Sequence, residues 1–85
     1  LTIAIHPTGP CWVSLTVDGD RVFSRVLRTG EREVHAADEE VVIIVGDTAT
    51  FAFSINEQPG QLPRGAGQVA TVTINRDNYR RYVIP

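Results

Sequence analysis

Cys11-Trp-Val-Ser-Leu-Thr-Val-Asp-Gly-Asp-Arg-Val-Phe-Ser-Arg-Val-Leu-Arg-Thr-Gly-Glu31 reads as strand, tight turn, strand and second turn. Val13, Leu15 and Val17 alternate with Ser14 and Thr16, the two-residue period of a half-buried strand. Asp18-Gly19 supplies short-turn chemistry, because glycine takes the positive φ that a tight hairpin needs. Phe23 and Leu27 follow on the return strand, and Thr29-Gly30-Glu31 closes it. Nothing in the stretch is catalytic.

Outward from this hairpin, apolar or period-two runs recur about every ten residues, with turn residues between them. That spacing predicts one all-β domain over residues 1–85. The expected fold is a single antiparallel β-sandwich, Ig-like in general architecture, with seven or eight strands. Strands are expected near 2–6, 11–17, 21–28, 31–36, 40–46, 49–55, 68–75 and 80–84. Val41-Val-Ile-Ile-Val45 is a continuous β-branched run, the mark of a strand covered on both faces. Phe51, Phe53 and Ile55 share one face of their strand, and Ala70, Val72 and Ile74 share one face of theirs. The expected core contains Leu15, Ile43, Phe51, Phe53 and Val72. Residues 56–67 hold two Pro and three Gly and read as one long loop, more a sheet-to-sheet crossover than a binding loop, with Leu62 as a local anchor.

Composition bounds the function. Eighty-five residues give one thin core and little room for an enclosed active site. The net charge of −2 lacks the basic face that nucleic-acid binding requires. All eight cations are Arg, which reads as compositional bias. No apolar run approaches the roughly 20 residues of a membrane helix, and no secretion signal is visible. The absence of Met suggests an excised domain or processed chain. The single Cys11 allows no internal disulfide and reads as a small buried hydrophobe.

An ordered series of residues resembles the C-terminal domain of RodZ-type bacterial cell-shape proteins. It begins with Cys11-Trp12, Asp18-Gly19, Phe23-Ser24, Leu27 and Gly30-Glu31. It continues through Val45-Gly46, Ala49, Phe51, Asn56, Pro59, Gly67-Gln68-Val69 and Asn78-Tyr79. Asp47 stands where the family often has Asn, and Glu57 stands where Gly often follows Asn56. The resemblance implies an extracytoplasmic module of a membrane-anchored protein, preceded by a cytoplasmic helix-turn-helix domain and one membrane helix. It implies a protein that links the MreB cytoskeleton to wall synthesis. The expected partners are cell-wall synthesis or other membrane proteins, with no nucleic acid bound by this fragment and the fragment itself a monomer. The alternatives are a carbohydrate- or peptidoglycan-binding β-domain and a structural spacer. A flat patch around Trp12 would favour protein contact, whereas exposed aromatics lining a groove would favour glycan.

The chemical motifs are weak. Gly65-Ala-Gly67 lacks the Lys-Ser/Thr and helix of a phosphate loop and reads as a turn. His6 and His35 are isolated, with Cys11 as the only soft partner for zinc. Asp38-Glu39-Glu40 lacks the alternating ligands of a calcium loop and reads as a solvated turn. Ser14, Ser24 and Ser54 sit within strands, not on a nucleophile elbow. No cofactor, metal or enzymatic turnover is expected.

Two features point to a partner surface. If Val13, Leu15 and Val17 face inward, Trp12 points outward or beneath a neighbouring segment, and an outward Trp is a preferred interface anchor. Arg21 and Arg25 are expected on one face of the return strand, as a polar rim for Trp12. Phe23 shares that face, so the alternation must break, at a sheet edge or at a bulge near Ser24. Arg76, Arg80 and Arg81, beside Tyr79 and Tyr82, read as strand ends whose Arg stems cover the rings.

Overall fold

The computed structural model describes residues 1–62 and 69–84. Among them, eight strands form two four-stranded antiparallel sheets packed as a sandwich. The strands are β1 (Thr2–Ile5), β2 (Cys11–Val17), β3 (Asp20–Leu27), β4 (Glu33–Ala36), β5 (Glu40–Val45), β6 (Phe53–Ile55), β7 (Gln58–Pro59) and β8 (Ala70–Asn75). One sheet, here the β1 sheet, has the order β4-β1-β6-β7. The other, the β2 sheet, has the order β3-β2-β5-β8. The connection from β7 to β8 passes from one sheet to the other, as expected of a crossover. Residues 63–68, which include the Gly65-Ala-Gly67 stretch expected to form a turn, lie outside the described residues. No described helix is long and apolar enough to cross a membrane.

The alternation read from the sequence builds the core. Ile3 and Ile5 of β1, Val13 and Leu15 of β2, and Val41, Ile43 and Val45 of β5 are all buried. Phe53 and Ile55 of β6 and Val72 and Ile74 of β8 join them. Burial of one such side chain contributes about 1.5–3 kcal/mol. Phe51, expected in this core, is only half-buried and packs on its margin, with its ring centroid 5.3 Å from that of Phe53. Leu62 packs against the core as the anchor expected of it.

One expected strand is shortened by a turn and another is replaced by one. The start of 49–55 is a 3-10 turn, Thr48–Thr50, because the Asp47 carboxylate accepts a hydrogen bond from Ala49 N at 3.0 Å. That cap bends the chain before extended structure resumes at Phe53. The expected strand 80–84 is likewise a 3-10 turn over Tyr79–Tyr82, followed by a lone bridge from Val83 to Gly60. Here Asn75 Oδ1 accepts from Asp77 N and Asn78 N, and Asn78 Oδ1 accepts from Asn75 N. These side-chain bonds replace a ladder and end β8. Three-residue spacing then turns Tyr79 and Tyr82 to the core and leaves Arg80 and Arg81 exposed, with the Arg80 guanidinium 5.8 Å from the Tyr79 ring.

The remaining correction concerns β3. Leu15 pairs with Phe23 but Thr16 pairs with Arg21, which leaves Val22 as the extra residue of a β-bulge. The break falls at Val22 rather than at Ser24, and it separates the two arginines. Arg21 shares the outer side with Thr16, whereas Arg25 is opposite the inward Val13.

Candidate partner-binding face

Trp12 lies on the outer face of the β2 sheet, 39% exposed. Its neighbours on that face follow from the register: Ser14 and Thr16 along β2, Ser24 and Val26 on β3, Val42 and Ile44 on β5, and Thr71 and Thr73 on β8. None of these side chains is charged, whereas Arg21, opposite Thr16, and Glu40, two residues before Val42, bring charge to the far end of the same face. Val26, 53% exposed, stands directly opposite Trp12. Val22, in the bulge, is also exposed, and so is Val69, just ahead of β8. Ser14, although on this outer face, is 3% exposed, in a row between Ser24 and Ile44.

The absence of a side chain at Gly46 gives the indole its seat. A Cβ there would lie 3.2 Å from Trp12 Cβ and 3.6 Å from Cε3. Gly46 N also donates to Trp12 O at 2.8 Å. The indole is therefore held at its base while much of it remains open, a fixed apolar plate on the outer face of the sheet.

The bulge decides what surrounds it. Counting back from Asp18-Gly19 without a bulge would set Arg25 opposite Trp12. One extra residue moves Val26 into that place and reverses the rest of the strand, since a one-residue slip exchanges the two faces. Arg25 goes to the inner rim, where it binds Glu31 at 3.0 Å and Glu33 at 3.2 Å and lies 5.7 Å from the Phe23 ring. Arg21 stays near the Trp12 face, exposed and without an ion pair among the described residues. The structure thus brings Trp12 and Arg21 to one side and takes Arg25 away. Val26 and Ile44 are members of the face that sequence reasoning missed. The broken Arg–Phe–Arg alternation was the available signal for Val26.

The other candidate chemistries are dispersed. Among the described residues no group of three or more His, Cys, Asp or Glu is placed to hold a metal. Cys11 is buried and its thiol donates to Asp47 O at 3.3 Å. His35 pairs with Glu33 at 3.0 Å and sits 5.8 Å from the Phe23 ring, on the same rim as Arg25. Asp18 accepts backbone N–H bonds from Glu40, Asp38 and Glu39, which hold its carboxyl below the ordinary value of 3.8. The Glu31 carboxyl is lowered by Arg28 N–H first and the Arg25 guanidinium second. On the β1 sheet a shallow cleft of about 410 Å³ has Ala4 and Ser54 among its lining and His6, Arg32 and Glu57 around it. The aromatic residue among its lining, Phe53, is itself a core residue, 3% exposed.

The family model for the RodZ C-terminal domain matches residues 4–73. No curated protein and no solved structure matches the chain. The matched span runs from β1 into β8 and contains both sheets, the Asp18-Gly19 turn and the whole Trp12 face. A match of that extent places the chain in the RodZ C-terminal domain family, and so within a RodZ-related cell-shape protein.

Proposed function

We propose that this domain is a non-catalytic, extracytoplasmic protein-interaction module of a membrane-anchored cell-shape protein, one that couples the MreB cytoskeleton to wall synthesis. Its working surface is the part of the outer face of the β2 sheet around Trp12, and its partner is a wall-synthesis or other membrane protein. The observation that carries this reading is the patch of Trp12, Val26, Val42 and Ile44, none of them charged. Such a composition suits a protein interface, where charge is depleted and Trp anchors the centre. Arg21 stands at the margin as part of a polar rim. The glycan alternative calls for exposed aromatics lining a groove. The β1-sheet cleft offers the core ring of Phe53, 3% exposed, and the cleft beside Leu1, Asn56 and Arg76 offers the half-buried ring of Tyr79.

Trp12→Ala tests the proposal. The isolated domain should lose only about 1 kcal/mol, because the ring is half-open. The full-length protein carrying the substitution should lose membrane-partner binding and fail to restore cell shape. A strongly destabilised domain whose partner binding survives would make Trp12 structural and remove the interface.

A further inference from the structure

We propose that the free edge of β3 pairs antiparallel with β3 of a second copy of this chain, about a two-fold axis at Ser24. The direction of the backbone groups shows which residues of β3 face the edge. Gly46 N donates to Trp12 O, so the main-chain groups of Trp12 point toward β5. Alternation then points those of Cys11, Val13 and Leu15 toward β3. Their partners Leu27, Arg25 and Phe23 use their N–H and C=O groups on β2. Ser24 and Val26 turn theirs to the open edge of the sheet, where β3 is the last strand among the described residues. The Arg25 guanidinium reaches Val26 O at 3.3 Å, as an outward carbonyl allows.

An open edge of this kind is a template for another strand. Here it carries exposed Val22 and Val26 and no Pro, and the bulge at Val22 together with Arg21 confines the free stretch to Val22–Val26. The sequence of the edge selects its own complement. An axis at Phe23 pairs only Val22–Ser24 before the bulge interrupts the ladder on both sides, and an axis at Arg25 would set that residue against itself. Like charges opposite one another destabilise a ladder. An axis at Val22 uses only the bulged end, and one at Val26 runs off the strand after Leu27. The axis at Ser24 avoids all of these. It places Val22 beside Val26 of the second copy. It also places Phe23 beside Arg25 of the second copy, the same cation–ring pair that the chain already makes within itself at 5.7 Å.

The ladder spans only Val22–Val26, far short of a standard interface, so its dissociation constant is on the order of millimolar. It forms where copies are held close together, and a dilute domain stays monomeric. The pairing uses the edge and leaves the Trp12 face open, so it stands independently of the proposed partner site. The strip Trp12–Val26 then continues into Val22 of the second copy.

The test uses Ser24→Cys in a Cys11→Ala background, with a short thiol-to-thiol cross-linker. Thr73→Cys on β8, the opposite outer strand, is the control. Ser24→Cys should give a covalent dimer and Thr73→Cys should not. In parallel, amide resonances of the unaltered domain are followed up to about 2 mM, the range in which so weak a contact populates. Shifts should be concentrated in residues 22–26, and Ser24→Lys, which sets two cations at the axis, should weaken the association about fivefold or more. The proposal is overturned by equal cross-linking of both cysteine variants. Concentration shifts that are absent, or centred on other strands, also overturn it.

Discussion

Asp18-Gly19 joins β2 to β3 and Asn56-Glu57 joins β6 to β7, and both turns hold positive φ at their two central residues. The angles are 50° and 85° in the first turn and 51° and 68° in the second. In the first, every residue suits its place. Gly19 has no Cβ to strain, and the Asp18 carboxylate accepts Asp38 N, Glu39 N and Glu40 N at 2.8, 2.8 and 2.9 Å. One side chain thereby ties the hairpin to the chain crossing from β4 to β5. In the second turn Glu57 occupies a left-handed conformation that favours glycine. What holds that turn lies beside it. Asn56 Oδ1 accepts from Thr2 N and Asn56 N donates to Thr2 O, each at 2.8 Å. Below it, Phe53 fills the core. The same backbone can thus be specified by its own residues or imposed by its neighbours.

The largest expected effect follows from that support. Phe53→Ala should cost about 3–5 kcal/mol, because it empties the core beneath the second hairpin. Urea unfolding measures it, and an unchanged midpoint would mean that the turn does not lean on the ring. Gly60→Ala attacks the same contact from outside. A Cβ at Gly60 would lie 2.4 Å from Phe53 Cε2 and 2.6 Å from Cζ, so the ring must move within a filled core. The expected loss is about 1–3 kcal/mol. A melting temperature equal to that of the parent would show that the ring has room to yield.

The contrast between the turns also explains what the sequence disclosed. Strand β2, the Asp18-Gly19 turn and the cores of β5 and β8 were legible because each is encoded by residues within its own segment. The inward path of Arg25 was not. It depends on the extra residue Val22, and a bulge is settled by the whole ladder with β2. Its carboxylate partners Glu31 and Glu33 also come from beyond the strand, after the chain has changed sheets. The 3-10 turn at Tyr79–Tyr82 was hidden for a related reason. Tyr79-Arg-Arg-Tyr82 reads as a strand end, but the reciprocal bonds of Asn75 and Asn78 are made before that run begins, and they set the three-residue spacing of the two Tyr to use. Trp12 was half-legible: its outward direction follows from alternation, whereas its uncharged surroundings follow from the bulge.

Asp18→Asn sharpens the comparison at the first turn. The Asp18 carboxyl is lowered from 3.8 chiefly by Glu40 N–H, then by those of Asp38 and Glu39. A lowered folded value means stability that is present above the unfolded value and lost as pH falls through the folded one. The melting gap between the parent and Asp18→Asn should therefore be widest above about pH 4 and close on acidification. A gap that stays constant with pH would show that the carboxylate charge contributes nothing and that an amide oxygen serves equally well.

Glu57→Gly is the smallest effect and the one that tests the comparison most directly. The left-handed conformation costs a residue with a Cβ about 1–2 kcal/mol. Glycine removes that strain but gives up about 0.5–1 kcal/mol through its freer unfolded chain. The balance is a gain of roughly 0.5–1 kcal/mol, and it restores the Asn-Gly pair that this turn type prefers. Gly19→Ala at φ 85° should run the other way, since there the residue already fits. Opposite signs at two turns of like geometry would establish that the first is encoded locally and the second is held from outside. A loss at Glu57→Gly would mean that Glu57 itself contributes to the turn, and the distinction between the two hairpins would fail.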